Sequence, residues 1–241
     1  MGDRMAAEGY DALCNPLGTL FNPESIRNTV LHALSGDVWT LPMFRDETMG
    51  EWRCWWANTR FRAPSAEEAR ACVQDAFVGL GKALAVADRL FLTLGTNVCY
   101  RLRDDALSAT GGGTTSDGIV VSNCQRQPDR LFAEDTLSVD DVCNVLSEMT
   151  ERLLEVNPGL QITFTLSPYR YRKYGWHRSR LSKAVLLLAI DRMQGLYPES
   201  VDYFPSYEIM MDELRDYSFY AEDGLHPAPA AVDIIWKRLC E

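Results

Sequence analysis

The sequence predicts a single α/β domain over residues 1–241, a doubly wound, flavodoxin-like three-layer sandwich whose sheet is mostly parallel. Two observations lead to this fold class. Amphipathic helical segments alternate with short apolar runs, as a parallel sheet with helical crossovers requires. The chain has 241 residues, 46% of them hydrophobic, which is enough to bury one large core.

Helix-capping and helix-breaking residues in the first half of the chain predict two helices and a strand. Asn22 followed by Pro23 predicts a helix start, because the side chain can cap the first turn and proline suits its first position. Ser65 opens a capping box, which predicts a helix ending near Ala87. The apolar run Arg89–Leu94 is followed by glycine and predicts a buried strand.

The second half continues the alternation. Ser138 predicts the start of a helix that runs to about Val156, and Gln161–Leu166 is the next apolar run. A further helix is predicted over Ser182–Gln194, and a last one after Pro227. Helix, breaker and strand therefore repeat in βαβ order.

Charge and composition argue against several classes of partner. The net charge of -10 disfavours general binding to nucleic acid or to anionic membranes. The segment Gly111–Gly113 is predicted to be a spacer rather than a phosphate loop, because no helix with a Lys-Ser/Thr signature follows it. Three histidines and dispersed cysteines offer no metal-ligand set, and no cofactor is predicted.

The cysteines and the chain ends bear on localisation. Seven cysteines are scattered and never spaced Cys-x-x-Cys, which is typical of reduced thiols and predicts a cytoplasmic protein. No run approaches the roughly 18 apolar residues of a membrane span, and the first residues lack a secretory apolar core. A targeting segment upstream of Met1 stays compatible with this prediction.

The most specific local signal is the pair Asp223 and His226. A carboxylate three residues before an imidazole can hold the ring in one tautomer while the other ring nitrogen faces a substrate. This pair suits a general base oriented by a carboxylate. The alternative is that Asp223 caps a turn and His226 opens a helix.

Ordered motifs accompany this pair along nearly the whole chain. They are Asn15–Pro23, Thr93–Thr96, Ser122–Cys124, Phe164–Pro168, Leu181–Ala184 and Tyr203–Glu208, followed by a closing segment that ends in Asp223–Pro227. In order and spacing they resemble the motifs of the GSCFA family, a branch of the SGNH hydrolases.

The resemblance implies hydrolysis of an ester, with acyl groups on carbohydrate as one substrate class. His226 would be the base and Asp223 its orienting group. Gly18 and Gly95 would border the oxyanion hole, with either Asn97 or Asn123 as the side-chain donor. Either asparagine could instead stabilise a turn. The expected partner is a small-molecule or carbohydrate ester, and no oligomeric state is predicted.

The family's Gly-Ser-Cys-Phe-Ala segment, which would supply a nucleophilic serine, does not occur in this sequence. Residues 1–5 resemble the helix that follows that segment. The domain is therefore expected to be N-terminally truncated and to lack its first strand, through a late start or a natural loss. Ser167 is interpreted as a turn residue rather than as a substitute nucleophile.

Residues 169–180 combine five basic side chains with four aromatic ones in an otherwise acidic chain. Guanidinium groups bind carboxylates or phosphates and flat rings stack on sugars, so Arg170 and His177 are candidate substrate-binding residues. The segment also supports a second hypothesis, a non-catalytic binding module that holds an anionic ligand. One scaffold can host either function.

Overall fold

The secondary structure of the computed structural model is described for residues 2–35, 41–103 and 118–241. The predicted spacer Gly111–Gly113 lies outside these residues. The α-helices are α1 (Gly2–Ala7), α2 (Pro23–Ser35), α3 (Ala66–Leu84), α4 (Val139–Val156), α5 (Trp176–Leu196), α6 (Ser206–Glu208) and α7 (Pro229–Cys240). The strands are β1 (Met43–Asp46), β2 (Glu51–Cys54), β3 (Arg62–Ala63), β4 (Arg89–Leu94), β5 (Val98–Leu102), β6 (Val120–Val121), β7 (Phe132–Thr136), β8 (Gln161–Leu166) and β9 (Val201–Phe204).

A parallel sheet with the strand order β4-β8-β9 forms the centre of the fold. Residues Arg89–Leu94 pair in register with Gln161–Leu166, and Ile162 lies opposite Val201 on the next strand. The carboxyl ends of all three strands therefore meet at one edge. This sheet and its flanking helices confirm the predicted α/β class.

The main core lies between one face of this sheet and helices α2, α4 and α5. Alternate residues of the strands, among them Leu94, Phe164 and Leu166, are fully buried there against Leu146 of α4 and Leu186 of α5. Burying each such side chain stabilises the fold by about 1.5–3 kcal/mol. The core fixes the strands and hence the edge at which their loops meet.

Two further sheets are antiparallel and were not specified by the sequence. They have the strand orders β1-β2-β3 and β6-β5-β7. Trp55 stacks on Phe44 with ring centroids 3.7 Å apart, and Phe132 of β7 packs edge-on against Trp55. Phe44, Trp55 and Phe132 thus form a local core between the two antiparallel sheets.

Most predicted helix starts are confirmed. The side chain of Asn22 accepts a hydrogen bond from the Ser25 backbone, and that of Ser65 accepts one from Glu68. Ser138 forms a complete capping box ahead of α4, which ends at Val156 as predicted.

Two predicted boundaries were wrong. Helix α3 ends at Leu84 rather than near Ala87. Helix α5 begins at Trp176, six residues before the predicted Ser182, because Gly175 at φ 77° ends the preceding turn without a side-chain cap. The last helix follows Pro227 as predicted and begins at Pro229, but Pro227 itself forms an isolated bridge with Tyr220 and is not in the first helical turn. His226 therefore lies in a loop and not at a helix start.

Candidate active site

Loops that follow the parallel strands meet at the carboxyl edge of the sheet, where ligands of such sheets bind. The Ser167 backbone, just after β8, donates to the carbonyl of Leu94 at the end of β4 at 2.9 Å. Three residues on, the Arg170 backbone donates to the carbonyl of Leu225 at 3.2 Å. These contacts place the loop of His226 at the edge that the sequence predicts.

Asp223 holds the His226 ring as expected from their spacing. The ring Nδ1 lies 2.5 Å from Oδ2 of Asp223. The other carboxylate oxygen, Oδ1, accepts backbone hydrogen bonds from Leu225 at 2.8 Å and His226 at 3.0 Å. One carboxylate thus fixes the turn and the ring together, which directs Nε2 away from Asp223.

The electrostatics of the pair keep the carboxylate charged. The backbone hydrogen bond from His226, then the ring hydrogen bond and the backbone of Leu225, lower the pKa of Asp223 to about 2. The His226 side chain is 61% exposed, so a substrate can reach the ring. A charged partner on Nδ1 favours the tautomer that leaves Nε2 free to accept a proton.

A row of tyrosines connects the histidine to the loop after β4. The rings of Tyr169 and His226 lie 4.4 Å apart between centroids, and Tyr169 meets Tyr171 edge-on at 4.8 Å. The Tyr171 hydroxyl lies against Gly95, where an added Cβ would sit 2.6 Å away from it. Gly95 is therefore required for the close approach of this row. Burial raises the pKa of Tyr171, which keeps its phenol protonated.

Lys183 also lies at this edge, and the sequence did not predict a role for it. It is 3% exposed, and its ammonium donates to the carbonyls of Gly95 and Ser167, both at 2.6 Å. Its Nζ also lies 5.3 Å from the centre of the Tyr171 ring. Burial lowers the pKa of Lys183 to about 7. Its position in the motif Leu181–Ala184 was visible, but its burial was not.

The predicted oxyanion donors differ in how they are engaged. The N–H groups of Gly18 and Gly95 donate to the carbonyls of Asn15 at 2.9 Å and Phe21 at 2.8 Å. The Asn97 side chain is buried, and its amide donates to the carbonyl of Leu137. Gly18 thus closes a local turn, whereas Gly95 and Asn97 join segments that are remote in the sequence.

Of the two asparagines, Asn123 is the one whose side-chain amide nitrogen has no hydrogen-bond acceptor among the described residues. It is half-buried, and its side-chain oxygen accepts from the Gln125 backbone at 2.7 Å, so that its amide nitrogen points the other way. Among the described residues, no hydrogen bond joins Asn123 to His226. The oxyanion role of Asn123, like that of Gly18, Gly95 and Asn97, stays a prediction.

Ser167 is a turn residue, as the sequence suggested. Its hydroxyl accepts from the Tyr169 backbone at 3.3 Å and its carbonyl from Lys183. The hydroxyl of Ser167 is therefore hydrogen-bonded within its own loop, to the backbone of Tyr169, the residue whose ring contacts His226. This geometry does not make Ser167 a nucleophile.

The basic side chains of residues 169–180 are engaged unequally. Arg178 forms an ion pair with Glu134 at 2.6 Å, and Lys173 donates to the hydroxyl of Tyr100 at 3.1 Å. Arg170 lies among aromatic rings, and within the described ranges no carboxylate is within ion-pair distance of it. His177 is exposed in the first turn of α5.

Two further features concern possible metals and membranes. Across residues 2–35, 41–103 and 118–241, no group of three or more His, Cys, Asp or Glu side chains could hold a metal ion. In the same part of the chain, none of the helices combines the length and the apolar character needed to cross a bilayer. All seven cysteines are free thiols.

Fold and edge geometry together define an α/β protein with a carboxylate-oriented histidine at the carboxyl ends of its parallel strands. The model of the GSCFA family matches residues 1–239, and the chain belongs to this family. No curated protein and no solved structure matches it.

Proposed function

We propose that this domain is built for SGNH-type hydrolysis of an ester, with His226 as the general base. The observation that carries the proposal is the 2.5 Å contact between Asp223 Oδ2 and His226 Nδ1 at the carboxyl edge of the sheet. In such a reaction Nε2 of His226 takes the proton of a serine hydroxyl as the hydroxyl oxygen attacks the ester carbonyl. The same nitrogen then returns the proton to the leaving alcohol. Asp223 orients the ring and stabilises the imidazolium.

The proposal assigns no nucleophile among the described residues. None of the serine hydroxyls in the described ranges hydrogen-bonds to the His226 ring. Base and oxyanion donors without a nucleophile give only modest residual catalysis. The chain of 241 residues is therefore expected to show no serine-dependent turnover.

The substrate class proposed is an acyl group on a carbohydrate. Exposed aromatic side chains around Arg170 support it, since Trp176 is 53% and Tyr217 is 75% exposed. The alternative is a non-catalytic module that binds an anion through residues 169–180. It would use Arg170, Arg172 and Arg180, which form no ion pair among the described residues. Arg178 and Lys173 already have partners within the chain.

Turnover of p-nitrophenyl acetate tests the proposal. The chain is compared with a version extended ahead of Met1 by a strand that ends in Gly-Ser-Cys-Phe-Ala, and with the same extension carrying alanine for serine. Turnover is expected only with the serine. In the active version His226→Ala should lower kcat by at least about 10³-fold, and Asp223→Asn by less, since orienting a base contributes less than the base itself.

Two results would refute the hydrolase proposal. One is equal turnover by the chain and both extended versions, since the serine would then play no part. The other is an active version that keeps its rate after His226→Ala. Loss of activity in that variant counts only if its thermal unfolding matches that of its parent, as expected for a 61% exposed side chain.

A further inference from the structure

The guanidinium of Arg170 lies within a cluster of three aromatic rings beside the His226 loop. Its central carbon is 3.9 Å from the ring centre of Tyr220, 5.5 Å from that of Tyr217 and 5.9 Å from that of Trp176. The rings come from the segment after α6 and from the first turn of α5. Residues remote in sequence therefore converge on one cation.

Arg170 is held by these rings and not by an acidic side chain. In the described ranges its charge has no carboxylate within ion-pair distance. A guanidinium presents five N–H donors in a planar fork that matches a carboxylate bidentately. Stacking on Tyr220 orients this fork without neutralising its charge. The cluster thus has a positioned cation with unused capacity for an anion.

Two of the rings are open to solvent. Tyr217 is 75% and Trp176 is 53% exposed, whereas Tyr220 beneath the guanidinium is buried. Large exposed aromatic side chains gathered at one place mark binding sites more often than scattered ones do. Their electron-rich faces attract the C–H groups on the apolar face of a sugar ring. An exposed ring beside a cation therefore suits a sugar that carries a negative charge.

The cluster adjoins the proposed catalytic base. The Arg170 backbone bonds to the carbonyl of Leu225, the residue before His226, and the ring of the preceding residue, Tyr169, contacts the His226 ring. A sugar bound on the cluster would place its neighbouring ester close to Nε2. The net charge of -10 disfavours a polyanion but leaves room for one carboxylate opposite one guanidinium.

We propose that Arg170, Trp176 and Tyr217 form a subsite for a uronic acid, the guanidinium binding the carboxylate and the rings stacking on the sugar. The proposal rests on the hydrolase function only for the position of the ester. Binding itself requires no catalysis. His226→Ala should therefore keep the affinity for the sugar even though it removes turnover.

Binding of methyl β-glucuronide, measured by NMR on the 241-residue chain, tests the subsite. The indole N–H resonance of Trp176, assigned with Trp176→Phe, is expected to shift on titration, and the neutral methyl β-glucoside should bind at least about 10-fold more weakly. Arg170→Gln should lower the affinity for the glucuronide by at least about 10-fold, because it removes a charge-assisted pair. Tyr217→Ala should lower it several-fold.

The controls are matched to these variants. Tyr10 is 62% exposed and outside the cluster, so Tyr10→Ala should leave binding unchanged, as should Arg152→Gln on the exposed face of α4. Equal affinity for glucuronide and glucoside would overturn the proposal. So would an unshifted Trp176 resonance at about 10 mM ligand, or an unchanged affinity in a folded Arg170→Gln variant. Sodium acetate producing the same shift at the same concentration would reduce the cluster to a simple anion site.

Discussion

Replacing Lys183 by methionine should destabilise the fold by an amount that grows with pH. Lys183 is almost fully buried and its pKa is lowered from 10.5 to about 7 by burial. Between these two values the unfolded chain holds a proton that the folded chain has released. Stability therefore rises with pH across this window and is lowest where the buried amine is charged.

The size of the effect follows from the pKa values. Each pH unit within the window is worth about 1.4 kcal/mol, so the cost of Lys183→Met should increase by about 2–3 kcal/mol from about pH 7 to about pH 9. Below about pH 7 the amine is protonated in both states and the cost should stay constant. The carbonyls of Gly95 and Ser167 favour the charged form and offset part of the desolvation, which makes this figure an upper bound.

Urea unfolding of parent and variant from about pH 6 to about pH 9 measures this difference. Burial raises the pKa of Cys99 to about 12, so this thiol ionises near this range only in the unfolded chain. It is present in both proteins, and its contribution cancels. Lys82→Met, at an exposed position of α3, controls for loss of a lysine elsewhere. A difference that does not change with pH would refute the reasoning, because the buried amine would then remain charged throughout.

Four further substitutions probe the candidate site by urea or acid unfolding. Asn97→Ala should lower the free energy of unfolding by about 2 kcal/mol, because it leaves the buried carbonyl of Leu137 without its donor. Asn123→Ala should lower it by less than about 1 kcal/mol. Equal losses in the two variants would contradict the structural role of Asn97. Gly18→Ala should lower the free energy of unfolding by about 2 kcal/mol or more, because φ is 105° and an added Cβ would lie 2.5 Å from the side chain of Asn58. A variant as stable as the parent would refute this packing. The stabilisation from Asp223 should be lost as pH falls from about 4 through its depressed folded pKa of about 2. A difference in unfolding free energy between Asp223→Asn and the parent that stays constant from about pH 5 to below about pH 2 would contradict this.

Local signals predicted much of the fold. The sequence located β4 and β8 to the residue, and it located α4 within one, because caps and breakers flank these elements. The start of α5 could not be predicted in this way. Its N-cap, Gly175, makes no side-chain hydrogen bond, and the preceding turn Arg172–Tyr174 ends only through a positive φ. Such a boundary depends on backbone geometry and leaves no capping residue to recognise.

The sequence predicted the part of the candidate site whose residues are close neighbours along the chain. Asp223 and His226 are three residues apart, so one turn can bring them together. Lys183 was missed because a lysine in a helix is usually solvated. Its burial follows from the pairing of β4 with β8, which brings two loop carbonyls to the same ammonium. Only the assembled sheet contains that information.

The basic and aromatic residues of segment 169–180 illustrate why composition alone could not assign a ligand. Glu134 of β7 pairs with Arg178, 44 positions away, and Tyr100 of β5 accepts from Lys173. These contacts anchor the segment to the sheet β6-β5-β7, and the pairing with Glu134 neutralises the charge of Arg178. Arg170 keeps its capacity for an anion because its neighbours are rings rather than carboxylates. Among the arginines of this segment, Arg170 is the one stacked among aromatic rings next to the His226 loop. Arg170 variants should therefore change ligand affinity, while His226 variants change turnover.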